Sequence, residues 1–263
     1  MRSLITSFID VVRSVRNQRA FTRELGPLNS RWRPILYPNS QPVRVLTGPF
    51  KGMAYLDEVV WGPIVPRWLG CYEWDVAPVV EKIIRSPYSR ILDIGCAEGY
   101  YAVGLATRMP DVTLHAFDTS FVARRQVKRL ARLNGVQDRI IVHGTCDSGQ
   151  LNALGGPKAL ILCDIEGYER ILLDPGAAPR LLESDVLVEI HESVLQPSTE
   201  SLIRGRFAET HDVQVLRFGN RNSWLQENAN VLGKRLDCKA IEEALNECRS
   251  NGLTWLWMTR QPH

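Results

Sequence analysis

Ionisable side chains gather behind two apolar runs. Ala159–Cys163 leads into Asp164-Ile165-Glu166-Gly167-Tyr168-Glu169, and Val186–Ile190, which carries Glu189, leads into His191-Glu192. A short apolar run of this kind reads as a buried strand. Strands of an open α/β sheet deliver whatever follows them to the rim where ligands bind. Asp164, Glu166, Glu189 and His191 are therefore expected at one rim. Histidine titrates near neutrality, which makes His191 the candidate proton acceptor, and Asp164 and Glu166 are catalytic candidates at the same rim. The same carboxylates admit a second chemistry. Asp164 and Glu189 at adjacent strand ends could hold a divalent ion such as Mg2+ or Ca2+, and a histidine ligand would admit Mn2+ or a softer metal. Glu169 and Glu192 read more simply, as helix caps or partners of their neighbours.

A second constellation lies earlier, in Ile91-Leu92-Asp93-Ile94-Gly95-Cys96-Ala97-Glu98-Gly99-Tyr100-Tyr101-Ala102-Val103. An apolar strand enters a glycine turn and leaves it as a helix. Gly95 and Gly99 let backbone N–H groups approach a ligand closely, and the helix N-terminus adds further donors. A dinucleotide fingerprint would space its glycines as G-x-G-x-x-G. Counted from Gly95, this chain has Ala97 and Tyr100 at the second and third positions, and a tyrosine ring is hard to place where helix and strand must touch. A nicotinamide-dependent reading is weakened accordingly. Thr113–Phe117 ends in Asp118, about 20 residues past the turn, where such folds set a carboxylate on ribose hydroxyls.

These residues need a sheet to position them. Apolar runs at Arg90–Ile94, Thr113–Phe117, Arg139–His143, Ala159–Cys163 and Val186–Ile190 alternate with helical segments, which implies parallel strands covered on both faces. Val213–Phe218 and Thr254–Thr259 can complete the sheet, with a helix over Lys239–Arg249 between them. Asp75 is the expected N-cap of a helix running to Arg85. Residues 27–66 carry seven prolines, so loops and short edge strands are expected there, with an irregular hairpin formed by Arg44–Phe50 and Lys51–Leu56. The expected division is a helix and proline-rich cap over residues 1–74, then one domain over 75–263.

Hydrophobic content of 44%, charged content of 23% and a net charge of +3 are ordinary for a globular chain of 263 residues. They give no strong nucleic-acid signal. The basic helix carrying Arg124, Arg125, Lys128, Arg129 and Arg132 reads as a solvated face. None of the six cysteines forms a C-x-x-C pair, which favours a reducing cytoplasm over a disulfide or zinc framework. Leu4, Ile5, Phe8, Ile9, Val12 and Val15 recur at helical spacing among arginines. Packing on the domain is the stronger reading of this helix, and peripheral contact with an anionic membrane is the other. Tyr72-Glu73-Trp74 could fold over the site as a lid or serve packing alone. His115 and His143, inside apolar strands, read as satisfied interior histidines.

The glycine turn resembles motif I of class I S-adenosylmethionine-dependent methyltransferases, an acidic residue followed by x-G-x-G-x-G. Asp93, Gly95 and Gly99 match it, and Ala97 replaces the middle glycine. The resemblance implies that Asp93, Gly95, Cys96, Ala97 and Gly99 form the loop holding the amino-acid end of S-adenosylmethionine, with Asp118 on its ribose. Asp-Ile-Glu-Gly-Tyr-Glu at 164–169, followed by Val-Glu-Ile-His-Glu at 188–192, resembles the FkbM family of methyltransferases. In that family a D-(I/V)-E-G-x-E segment precedes a strand ending in E-x-H. The similarity spans Ile91 to Glu192. It implies a Rossmann-like α/β fold with a seven-stranded, mostly parallel sheet, and O-methylation of a small-molecule or glycan hydroxyl. Rival expectations are an RNA or protein methyltransferase, and a cofactor-binding partner protein that has lost catalysis.

Overall fold

The structure is a computed structural model that describes residues 29–192, 196–218, 222–232, 238–247 and 254–261. The N-terminal amphipathic helix expected over residues 4–15 lies outside them. One seven-stranded sheet organises the chain: β1 Arg90–Ile94, β2 Thr113–Phe117, β3 Ile140–His143, β4 Ala159–Cys163, β5 Asp185–Ile190, β6 His211–Arg217 and β7 Thr254–Arg260. The spatial order is β3-β2-β1-β4-β5-β7-β6. β1 to β5 run parallel, whereas β7 is antiparallel to both neighbours. The apolar runs mark every strand to within a residue or two. This is the Rossmann-like, seven-stranded and mostly parallel α/β sheet expected from the alternating runs.

Helices cover both faces because the inner strands are apolar on both. All five residues of β4 are buried. On one face α3 (Ala77–Arg85), α4 (Tyr100–Arg108) and α5 (Phe121–Leu133) pack with the cap, which carries α1 (described over 29–36) and α2 (Val65–Leu69). On the other lie α6 (Ser148–Leu154), α7 (Glu169–Leu172) and α8 (Thr199–Phe207). Local capping fixes several of their starts. Ser120 accepts from the Ala123 amide at the head of α5, and Asp147 and Gln150 form a reciprocal capping box on α6. The expected Asp75 cap is not formed. A 3-10 turn over Trp74–Val76 comes first, α3 starts at Ala77, and Pro78 in its first turn has no amide to be capped. Helices α9 (Asn222–Leu232) and α10 (Cys238–Leu245) precede β7.

The cap shares the core of the sheet. Trp32, Val45, Phe50, Tyr55, Ile64 and Trp68 are buried in the same cluster as the apolar faces of α3, α4 and α5. Its hairpin is irregular, as the prolines require. There is one antiparallel bridge, Arg44 with Ala54, flanked by Val45 N–H to Met53 O at 2.9 Å and Tyr55 N–H to Val43 O at 3.0 Å. Two devices dock it. The Asn134 amide at the end of α5 bonds both the N–H and the C=O of Ala54 at 2.9 Å. Phe50 lies so close to Gly104 that a Cβ there would approach its ring to 2.5 Å, which explains a glycine inside α4.

Candidate active site

Strand order reverses between β1 and β4, and beyond the carboxyl ends of β1, β2, β4 and β5 lies a cavity of about 760 Å3. This is the switch point where open α/β sheets bind ligands. The first wall is the glycine turn. Gly95 has φ +85°, and a Cβ added to it would sit 1.6 Å from the carbonyl oxygen of Asp164, so only glycine lets the β1 and β4 ends meet. The Gly95 and Cys96 amides bond the carbonyl of Phe117 on β2 at 2.9 and 3.0 Å. Ala97 is also left-handed, at φ 47°, and Gly99, at φ 97°, caps α4.

Gly95, Ala97 and Asp118 line the cavity, whereas Asp93, Cys96 and Gly99 lie behind it. Asp93 is 1% exposed, and burial pushes its carboxyl up to about 8, against the hydrogen bond it accepts from the Ala102 amide. It thus holds the first turn of α4 from below the ligand wall. Burial likewise raises the Cys96 thiol well above its usual range. The Asp118 carboxylate accepts from the Ala97 amide at 3.0 Å and the Ser120 amide at 2.7 Å, which ties the β2 end to the turn. A carboxylate offers about four acceptor directions, so capacity remains for a ligand hydroxyl. Burial lifts its pKa to about 6 despite those amides and Arg124.

The opposite wall carries the ionisable rim. Asp164, Glu166, Glu189 and His191 all line the cavity. His191 Nδ1 bonds Glu169 Oε1 at 2.8 Å, and its Nε2 lies 3.4 Å from Glu166 Oε2 and 3.8 Å from Asp164 Oδ1. Glu169 is more than a cap. It is fully buried and accepts from the Ile165 and Gly167 amides at 3.2 and 3.1 Å, so it shapes its own loop while fixing the histidine ring. Burial opposes a charge on His191, but the bond to Glu169 and the Asp164 and Glu166 carboxylates outweigh it, and its pKa is raised. Glu169 shifts the other way, its burial outweighed by His191 and the loop amides. Glu192 takes the simpler role and accepts from the Thr199 and Glu200 amides at the head of α8. Cys163, one residue before Asp164, is buried and its thiol raised well above the usual range, which suits packing and not nucleophilic attack.

Among the described residues, two sets of side chains bring donor atoms within 4.8 Å of one another, as a shared ion would need: Asp164–Glu169–His191 and Glu73–Asp164–Glu189. Spacing alone selects no ion, since Glu169 and Glu73 have other partners, the latter in the Tyr101 hydroxyl.

Of the third wall, the sequence offered only the Tyr72-Glu73-Trp74 segment. Residues 59–73 of the cap pass over the cavity and contribute Trp61, Gly62, Arg67 and Tyr72 to it. Glu98, inside the glycine turn, bolts this strap down. Its carboxylate is 0% exposed, accepts from the Tyr55 hydroxyl at 2.7 Å and the Val60 amide at 3.1 Å, and lies 2.9 Å from Arg67 Nε. Arg67 also donates from Nη1 to the carbonyl of Pro63 and lays its guanidinium over the Tyr72 ring at 3.9 Å. Tyr72 is thus a fixed wall, and Trp74 is partly buried against the core. His115 and His143 satisfy each other at 3.0 Å, away from the cavity lining.

No protein-family model matches the chain, and no curated protein does. Solved structures resemble it in fold. A methyltransferase from Geobacter sulfurreducens bound to S-adenosylhomocysteine is 14% identical, with 72% of this chain and 91% of that one covered and a TM-score of 0.42. The O-methyltransferase TomG of Streptomyces achromogenes, bound to S-adenosylmethionine, is 13% identical over 73% and 81%, with a TM-score of 0.45. A precorrin-8w decarboxylase from Methanobacterium thermoautotrophicum is 14% identical over 69% and 89%, with a TM-score of 0.43. No helix among the described residues is long and apolar enough to cross a membrane.

Proposed function

We propose that the chain is an S-adenosylmethionine-dependent methyltransferase that acts on a hydroxyl of a small acceptor. One observation carries this reading: a single cavity joins the glycine turn, the carboxylate at the end of β2 and a carboxylate-oriented histidine. The residues fit the cofactor. Gly95 and Ala97 of the glycine turn line the cavity, and Asp118 beside them retains acceptor capacity for ribose hydroxyls. The volume falls within the range of about 300–1,000 Å3 usual for small-molecule sites and leaves room for an acceptor beside a nucleoside.

When bound, the cofactor supplies a methyl group on a sulfonium, whose departure as a neutral thioether needs no acid. The protein's task is then alignment and removal of one proton. Glu169 accepts from Nδ1–H of His191, which leaves Nε2 to take the hydroxyl proton of an acceptor held beside it. Asp164 and Glu166, near Nε2, stabilise the resulting imidazolium.

Calorimetric titration with S-adenosylhomocysteine, on the native protein and on Asp118→Ala, tests the cofactor half. Binding weakened at least tenfold by the substitution is expected, and equal affinity would remove Asp118 from the site. Asp164→Asn tests the catalytic half: binding nearly unchanged, turnover lost.

A further inference from the structure

Two large aromatic rings stand half-exposed at this cavity, Trp61 at 49% and Tyr168 at 51% of their free surface, and both belong to its lining. Neither is loose. Val60, before Trp61, is 3% exposed with its amide held by Glu98, and Ile64, three residues on, is fully buried. Tyr168 lies between Gly167, whose amide is held by Glu169, and Glu169 itself, which is fully buried. Anchored backbone on both sides leaves each ring in solvent, an unfavourable place for so much apolar surface unless something covers it. Ile165 and Leu172 continue the same apolar lining from the β4 loop into α7. The ionisable groups Asp164, Glu166 and His191 share this stretch of wall.

We propose that Trp61 and Tyr168 form the acceptor platform and that the acceptor is a hydroxylated aromatic ring system. This rests on the methyltransferase reading above and narrows it. A flat ring can cover both aromatic side chains and lie against Ile165 and Leu172 while a single hydroxyl reaches His191. A sugar laid on the same rings would set some hydroxyls against Ile165 and Leu172, where they lose water, and only those that reach Asp164, Glu166 or His191 would regain a partner.

The test uses the full-length protein saturated with S-adenosylhomocysteine, and Trp61→Ala, Tyr168→Ala and the double variant, all solvent-exposed positions. Three probes are titrated by saturation-transfer difference NMR: 2-naphthol, methyl β-glucoside and 1-hexanol. The expected result is that 2-naphthol binds most tightly, loses on the order of tenfold in affinity in the double variant, and is the only probe so affected. Equal naphthol affinity in native and double-variant protein overturns the platform, as does failure of naphthol to bind, or methyl β-glucoside binding more tightly. The two readings fail separately. Loss of S-adenosylhomocysteine binding in native protein, with naphthol still dependent on both rings, removes the cofactor and keeps the platform. Intact S-adenosylhomocysteine binding with naphthol indifferent to both rings does the reverse.

Discussion

Replacing Glu98 by alanine should destabilise the protein far more than a loop substitution ordinarily does. Its carboxylate is 0% exposed, its partner Arg67 has a side chain only 4% exposed, and Tyr55 and the Val60 amide also lean on it. Breaking a buried pair from one side leaves the other charge in a low-dielectric interior, at a typical cost of about 3–5 kcal/mol. For a chain of this size each kcal/mol moves the melting temperature by roughly 2–4 °C, so Glu98→Ala should melt about 6–20 °C lower. Removing both charges together, as Glu98→Gln with Arg67→Met, leaves no ion unpaired and keeps an acceptor for Tyr55 and Val60. The double variant should therefore lose less than either Glu98→Ala or Arg67→Met alone. Thermal and urea unfolding monitored by circular dichroism measure these differences. A loss below about 1 kcal/mol for Glu98→Ala, or a double variant that loses as much as Arg67→Met alone, would refute the argument that this pair bolts the strap to the turn.

The remaining expectations concern the cavity. Burial places the Asp118 pKa near 6, and its ionised form is the one that can accept from two hydroxyls, so affinity for S-adenosylhomocysteine should rise with pH through about 6 and be about tenfold weaker at pH 5 than at pH 7; a flat profile contradicts its role. His191→Gln should lower kcat by about 10²–10⁴ with little change in cofactor affinity, and a fully active variant would exclude it as the base. Glu169→Gln should lower kcat and move the midpoint of the pH–rate profile down, because the histidine loses a carboxylate that raises its pKa; an unmoved midpoint would leave Glu169 a loop residue only. Gly95→Ala should abolish S-adenosylhomocysteine binding, since its Cβ collides with Asp164 at a left-handed φ, and native affinity would show that the β1 and β4 ends can part. Turnover should survive exhaustive chelation; loss restored by Mg2+ or Mn2+ would instead make Asp164 and Glu189 ion ligands.

Strand content was legible because β1, β2 and β4 are short apolar runs whose pattern leaves few alternatives, and their parallel order follows from the helices between them. The rim residues were legible for the same reason, as Asp164 and His191 each sit directly after a strand end. What could not be read is long-range. Glu98 lies in the glycine turn and looks like a spacer, and nothing in the sequence pairs it with Arg67 and Tyr55, which reach it only once the cap folds back. Glu169 looks like a helix-start carboxylate and is one in part; its bond to His191 depends on β4 and β5 lying side by side. Asp93 shows the converse case. Its position in the motif suggests ligand contact, whereas packing places it beneath the turn, on the Ala102 amide.

The antiparallel β7 carries a consequence for how the chain is made. It lies between β5 and β6, yet it leaves the ribosome after both. Until it emerges, β6 has no edge to join and β5 presents an open one, so a nascent chain stopped before Thr254 would expose the flank of its parallel half to self-association. Completion of this protein is thus an insertion event, and fragments ending ahead of β7 should aggregate even though every residue of the cavity wall from Trp61 to His191 has already been synthesised.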